Sequence, residues 1–168
     1  MELRQLAYDH PDAAALIAAL QQVYVERYGD EDVTPVDPAE FSPPHGLFLV
    51  GYLDGRPVAC GGWRAHDGDE PDFLDGDAEL KRMYVVPAMR GRGLARRMLA
   101  ELEHTALAAG RRRMVLETGT LQPEAIGLYT SSGYTEIPKF GVYKCAPESI
   151  CFGKLLVPAE LPQGRVSA

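Results

Sequence analysis

Two glycines and several arginines are gathered in one short stretch, Val85-Val86-Pro87-Ala88-Met89-Arg90-Gly91-Arg92-Gly93-Leu94-Ala95, with Arg96 and Arg97 directly behind it. The residues before it read as a strand and those from Leu94 onward as an amphipathic helix, so the glycines stand where a helix begins. A helix start presents amide donors without partners and a partial positive charge, and glycine lets an anion come close to that backbone. Arg90, Arg92, Arg96 and Arg97 oppose the same dipole unless an anion is present. The chemistry is therefore the holding of a phosphate or pyrophosphate. No Gly-x-x-x-x-Gly-Lys-[Ser/Thr] loop occurs in the chain. A dinucleotide fingerprint needs a third glycine where Arg96 stands, although Glu117 ends the following strand at about the right distance.

The elements that must position this loop follow from periodicity. Glu2 to Ala7 reads as an edge strand, and Asp9 with Pro11 starts a helix carrying Leu16, Ile17, Leu20, Val23, Tyr24 and Tyr28 that ends near Gly29. Asp30 to His45 holds four prolines and reads as a loop or short-helix region. Leu47 to Leu53 and Pro57 to Trp63 flank Asp54-Gly55, a strong hairpin signal, and the acid-rich Asp67 to Asp77 is a solvated loop. A strand from Glu79 to Val86, a helix from Leu94 to Ala109 and a strand from Arg113 to Thr118 make one βαβ crossover with a locally parallel pair. A second helix runs from about Pro123 to the Gly133 stop, and Tyr134 to Ile137 and Ile150 to Val157 are the last strand candidates. The 168 residues fit one domain, 1–157, with a C-terminal tail over 158–168.

In this order the residues resemble the GNAT superfamily of N-acetyltransferases. Arg90-Gly91-Arg92-Gly93-Leu94-Ala95 is similar to its Arg/Gln-x-x-Gly-x-Gly/Ala loop, Glu79 to Val85 to its central strand, and Gln122 to Tyr129 through Gly133-Tyr134 to its second signature helix. The resemblance implies an α/β (α+β) fold with a mixed, mostly antiparallel sheet of six to seven strands, splayed at the centre and flanked by about four helices. Acetyl-CoA would be the cosubstrate. It also implies that the amides of Arg90 to Ala95, with Arg96 and Gln122 nearby, hold the CoA pyrophosphate, and that the backbone of Met83, Tyr84 and Val85 pairs with the pantetheine. Gln122 departs from the Asn often found there.

By the same resemblance Tyr129 stands at the general-acid position, its hydroxyl directed to the departing sulfur. Reference values of about 10 for a Tyr and about 8.5 for a thiol make complete proton transfer uphill, so hydrogen bonding to the thiolate is the safer role. An ammonium cannot attack before it loses a proton, and Glu79 is the first candidate base, with Glu117 in reserve. Glu79 also reads as a strand carboxylate paired with an arginine or lysine. The acceptor pocket would draw on Tyr28, Phe41, Glu117, Tyr134, Phe140 and Tyr143, each of the aromatics being more often core than pocket. Arg111 to Arg113 read as a solvated turn or as a contact to the adenosine phosphate.

Charge is unevenly spread. The formal net charge is −7, yet Lys81 to Arg113 holds nine basic residues against Glu101 and Glu103, whereas Glu26 to Glu79 holds fourteen acids against Arg27, Arg56 and Arg64. An acidic chain with a single basic segment argues against nucleic acid and for a compact anionic ligand. The acidic run motivates a cationic small-molecule amine as acceptor, or is only a solvated face. No apolar run approaches the roughly 18 residues of a bilayer span, and the first residues lack the pattern of a signal peptide, so a cytoplasmic protein away from membranes is expected. Cys60, Cys145 and Cys151 show no spacing for a metal or a disulfide framework. Expected alternatives to a small-molecule acceptor are a protein N-terminus or lysine, or a non-catalytic acyl-CoA-binding module. A homodimer is among the open assemblies.

Overall fold

The computed structural model describes residues 1–68 and 70–157, so the expected tail over 158–168 lies outside the described residues. Among the described residues there are seven strands: β1 (Glu2–Gln5), β2 (Gly46–Leu53), β3 (Arg56–His66), β4 (Asp77–Val85), β5 (Arg113–Gly119), β6 (Thr135–Ile137) and β7 (Ser149–Leu155). They form one sheet in the order β1-β2-β3-β4-β5-β7-β6. Only β4 and β5 are parallel, because α2 (Leu94–Ala108) carries the chain between them. Two further α-helices, α1 (Pro11–Tyr28) and α3 (Pro123–Ser131), bring the number among the described residues to three, where about four were expected. The proline-rich stretch after α1 forms only a single 3-10 turn, Pro38–Phe41, since proline lacks the amide that a longer helix needs.

Local chemistry accounts for the boundaries. Asp54 and Gly55 both take positive φ, 49° and 73°, as a type I′ hairpin turn requires, and they join β2 to β3. The αL residue Gly29 caps α1 by donating its amide to the carbonyl of Val25. Strand β2 is buried on both faces. Leu47 and Leu49 pack against Met98, Leu99, Leu102 and Ala106 of α2, while Phe48, Val50 and Tyr52 pack with Ala13, Leu16 and Leu20 of α1. Each large side chain so buried contributes roughly 1.5–3 kcal/mol of transfer free energy. That two-sided packing turns the sheet into a rigid support for what happens at its centre.

The centre is where the sheet comes apart. β4 and β5 pair only through Asp77↔Arg113, Ala78↔Met114 and Glu79↔Val115, after which Leu80–Val85 and Leu116–Gly119 run on without pairing to each other. On its other edge β4 carries a register shift against β3 between Cys60 and Gly62, and Arg82 takes a φ of 59°. Such a bulge breaks the alternation of side chains along a strand.

Candidate active site

Two neighbouring cavities occupy the opening. The larger, about 530 Å³, is lined by the parted strands, the C-terminal turn of α1 with the residues after it, and the chain before β7. The smaller, about 370 Å³, is lined by Tyr84, Val85, Arg90, Gly91, Gly93, Leu94, Ala95 and Arg96, with residues of α1 and α3. Met83, Gln122, Ala125 and Tyr129 line both. Tyr129 is thus the aromatic side chain at the junction.

The smaller cavity has the features of an anion cradle. Gly91 and Gly93 take φ of 74° and 75°, and a Cβ at either would meet nothing within 4 Å, so conformation and not crowding calls for glycine there. Helix α2 starts at Gly93 without a side-chain cap and without an acid in its first turn, which leaves its amides to a ligand. Arg90 donates to the Val85 carbonyl, and Arg96 donates to Ser131 Oγ at 2.8 Å and Ser132 Oγ at 3.0 Å. The second contact ties the helix of the loop to the end of α3. Arg92 is not among the residues lining either cavity.

The two candidate carboxylates meet different surroundings. Glu79 is 3% exposed, accepting from Arg64 Nε and His66 Nε2, each at 2.8 Å. Burial works to raise its pKa, but the His66 hydrogen bond and the charges of Lys81 and Arg64 outweigh it and hold the carboxyl at about 2. His66 itself lies between Glu79 and Glu70, stacked on Phe73 at 3.6 Å, and its pKa is raised because the two carboxylates overcome its burial. Glu79 lines neither cavity. Glu117 does line the larger one, and its described hydrogen bond is a 3.3 Å contact from Ser149 Oγ. Burial pushes its pKa up to about 7; Lys81 opposes the rise and Asp32 adds to it.

The expected acceptor residues divide. Tyr28, Glu117 and Tyr143 line the larger cavity. Tyr28 packs against Gly119, where a Cβ would stand 1.8 Å from its hydroxyl, and that hydroxyl is buried without a partner. The Tyr143 hydroxyl accepts from the Val33 amide at 2.8 Å, which ties the residues after α1 to the far wall. Phe41 and Tyr134, also expected at the acceptor, line neither cavity. Phe41 stacks on Tyr8 beside Phe48 in the core under α1, and Tyr134 packs edge-on to Tyr129 while donating to Glu103 at 2.9 Å. Phe140 is likewise buried, beside Phe73.

The acidic run does not form one face toward the opening. Glu40 pairs with Arg64, Glu70 with His66, Asp67 with Arg111, Asp72 with Lys144 and Asp77 with Arg113. Those pairs also occupy Arg111 and Arg113. Asp30, Glu31 and Asp32 do line the larger cavity, with Asp32 held by Arg82 and its backbone by Gln21. Lys81 and Arg82 line it as well and were not singled out from the sequence. Neighbouring strand residues should face opposite ways, and the bulge at Arg82 is a long-range feature with no local signal.

Comparison with known proteins agrees with this architecture. The model of the acetyltransferase (GNAT) family matches residues 13–134. The chain is 34% identical over 141 residues to an IAA acetyltransferase of Azospirillum brasilense, covering 84% of this chain and 88% of that protein. It is 29% identical over 113 residues to human N-acetylaspartate synthetase, covering 67% of this chain and 35% of that longer protein. Its backbone matches an aminoglycoside 6'-N-acetyltransferase complexed with coenzyme A at a TM-score of 0.67 and 16% identity, over 95% of this chain and 99% of that one. At that identity the last likeness concerns the fold alone.

Proposed function

Because this chain belongs to the GNAT family of acetyltransferases and is an acyltransferase, we propose that it moves the acetyl group of acetyl-CoA to a primary amine of a small molecule by direct attack in a ternary complex. The observation that carries this reading is the pair of adjoining cavities that share Tyr129, one walled by the glycine loop and the other by Glu117. The smaller cavity suits the CoA: the amides of Arg90 to Ala95 hold its pyrophosphate, and the unpaired edge of β4 at Met83 to Val85 is free to pair with an extended chain. Acetyl-CoA supplies the activated thioester, and the rest falls to side chains of this protein.

Glu117 takes the base role in this reading, in place of Glu79. A carboxylate near pKa 7 is matched to neutral pH, whereas Glu79 at about 2 is a weak base already engaged by two donors. Glu117 removes one proton from the acceptor ammonium, the freed nitrogen bonds to the acetyl carbon, and the carbon–sulfur bond breaks; the second proton that the nitrogen loses on becoming an amide ends on the departing sulfur, so CoA leaves as a thiol and Glu117 returns its proton to solvent. Tyr129 donates a hydrogen bond to the sulfur as it gains negative charge. Burial raises the Tyr129 pKa further above that of a thiol, which favours donation over full proton transfer. No cysteine lines either cavity among the described residues, so nothing offers a thiol for a covalent acetyl intermediate.

The two relatives above carry names with different acceptors or products, so the choice among small amines belongs to the cavity itself. No helix among the described residues is long and apolar enough to cross a membrane, and this reading keeps the cytoplasmic setting. The test is release of free thiol from acetyl-CoA by the purified protein, screened over amino acids, polyamines, aminoglycosides and peptides. Acetylation of peptides alone would replace the small-molecule acceptor by a protein one, and acetyl-CoA binding with no turnover of any amine would return the chain to a binding module.

A further inference from the structure

The larger cavity contains a cation that the acetyl transfer does not use. Lys81 is 8% exposed and lines that cavity together with Glu117. Its Nζ stands 3.6 Å from Glu79 Oε1 and 3.8 Å from Asp32 Oδ2, both longer than a hydrogen bond. Each of these carboxylates has nearer partners. Asp32 is held by Arg82 and by the Thr34 hydroxyl at 2.6 Å, and Glu79 by Arg64 and His66 at 2.8 Å. A lysine ammonium has three donors; those of Lys81 have ion-pair contacts with Glu79 and Asp32 and, among the described residues, no hydrogen bond at shorter range, so they are available to a ligand in the cavity. Tyr28 lines the same cavity, its hydroxyl buried against Gly119 without a hydrogen-bond partner among the described residues.

We propose that the acceptor is an amino acid, or another amine bearing a carboxylate, whose carboxylate is bound by Lys81 while its amine faces Glu117. The proposal rests on the acetyl-transfer reading and specifies the substrate class of that site. A carboxylate supplies hydrogen-bond acceptors for the Lys81 ammonium. An amine with no negative group would leave the donors of Lys81 without that acceptor. The ammonium of the same zwitterion is drawn by Asp30 and Glu31 at the wall of the cavity, which accommodates the acidic segment without requiring a polycation.

The experiment compares matched pairs at saturating acetyl-CoA: L-alanine with ethylamine, L-methionine with 3-(methylthio)propylamine, L-phenylalanine with phenethylamine, and L-arginine with agmatine. The carboxylated member is expected to have a kcat/KM higher by roughly 10- to 100-fold, the effect of one charge-assisted hydrogen bond. Lys81→Met is expected to erase the difference within each pair and Lys81→Arg to keep part of it. Equal kcat/KM within the wild-type pairs overturns the proposal, and this comparison stands even if Lys81→Met fails to fold. A Lys81→Met loss that is the same for both members also overturns it, because Lys81 would then act only by tuning Glu117. So does acetyl-CoA binding by calorimetry with no turnover of any carboxylated member. Absence of acetyl-CoA binding removes the parent reading, and this one with it.

Discussion

Glu117 lies two residues beyond Val115, the β5 partner of Glu79 in the last register pair before the strands part, and the two carboxyls are held at about 7 and about 2 respectively. The difference is one of neighbours. Glu79 is buried on the paired side of the opening among Arg64, His66 and Lys81, and Glu117 is half-buried on the parted side with Ser149 as its neutral donor. A single divergence of two strands thus separates an ionised structural carboxylate from one that exchanges its proton near neutrality.

Glu117→Gln is expected to lower kcat by roughly 100- to 10,000-fold at neutral pH, the usual contribution of a general base. In the wild type kcat/KM should rise with pH through an apparent pKa near 7, and the variant should lose that rise. Because the folded-state pKa is raised, the folded protein binds more protons than the unfolded chain between about 4.5 and about 7. The stability contribution of Glu117 therefore declines as pH increases across that window, and the variant should not show this decline. A pH–rate profile that keeps its transition near 7 in Glu117→Gln would assign the base elsewhere.

Tyr129→Phe should leave acetyl-CoA binding near normal and reduce kcat by roughly 10- to 1,000-fold, since the hydroxyl matters most when charge develops on sulfur. Calorimetry for binding and thiol release for turnover separate the two effects. Wild-type turnover in the variant would leave Tyr129 as the buried aromatic partner of Tyr134.

At Gly93 a Cβ meets nothing within 4 Å, but a valine there must adopt a φ near 75°, which costs a residue with a Cβ about 1–2 kcal/mol. Gly93→Val should distort the loop and lower CoA affinity at least about tenfold while the far-UV circular dichroism stays native. Undiminished affinity by calorimetry would mean that the loop does not hold the CoA.

Glu79→Gln should act on stability. Breaking a buried charge pair costs roughly 3–5 kcal/mol, and Arg64 and His66 would each lose their ionised partner. The depressed pKa makes the contribution of Glu79 fully present above about 4.5 and lost as pH falls through about 2, so the gap between wild type and variant should narrow in acid. Urea unfolding at pH 7 and pH 3 measures it, with kcat of the folded variant as control. A variant of unchanged stability that has lost its turnover would restore Glu79 as the base.

Much of the fold was legible because its signals are local. The Asp54-Gly55 turn needs two positive φ angles that those residue types accept, the apolar stripe of Met98, Leu102 and Ala106 is a period along one helix, and Gly91 with Gly93 marks a helix start open to an anion. Each depends on a few consecutive residues, so composition and spacing carry it without knowledge of the rest of the chain.

The parting of β4 from β5, the bulge at Arg82 and the partners of Glu79 depend instead on segments far apart in sequence. Arg64 reaches Glu79 from β3, Asp32 reaches Arg82 from the loop after α1, and Tyr134 turns away from the cavity to donate to Glu103 on α2. Whether a carboxylate is a base or half of an ion pair is set by desolvation and by charges within a few ångströms, and only the folded chain brings those together. The sequence by itself determined the elements, their order and the glycine loop, through dihedral preference and periodicity. Tertiary structure alone decided that Glu117 and not Glu79 faces the opening, and that Lys81 lines it at ion-pair but not hydrogen-bond distance from Glu79 and Asp32, because long-range packing sets both the local dielectric and the company of each charge.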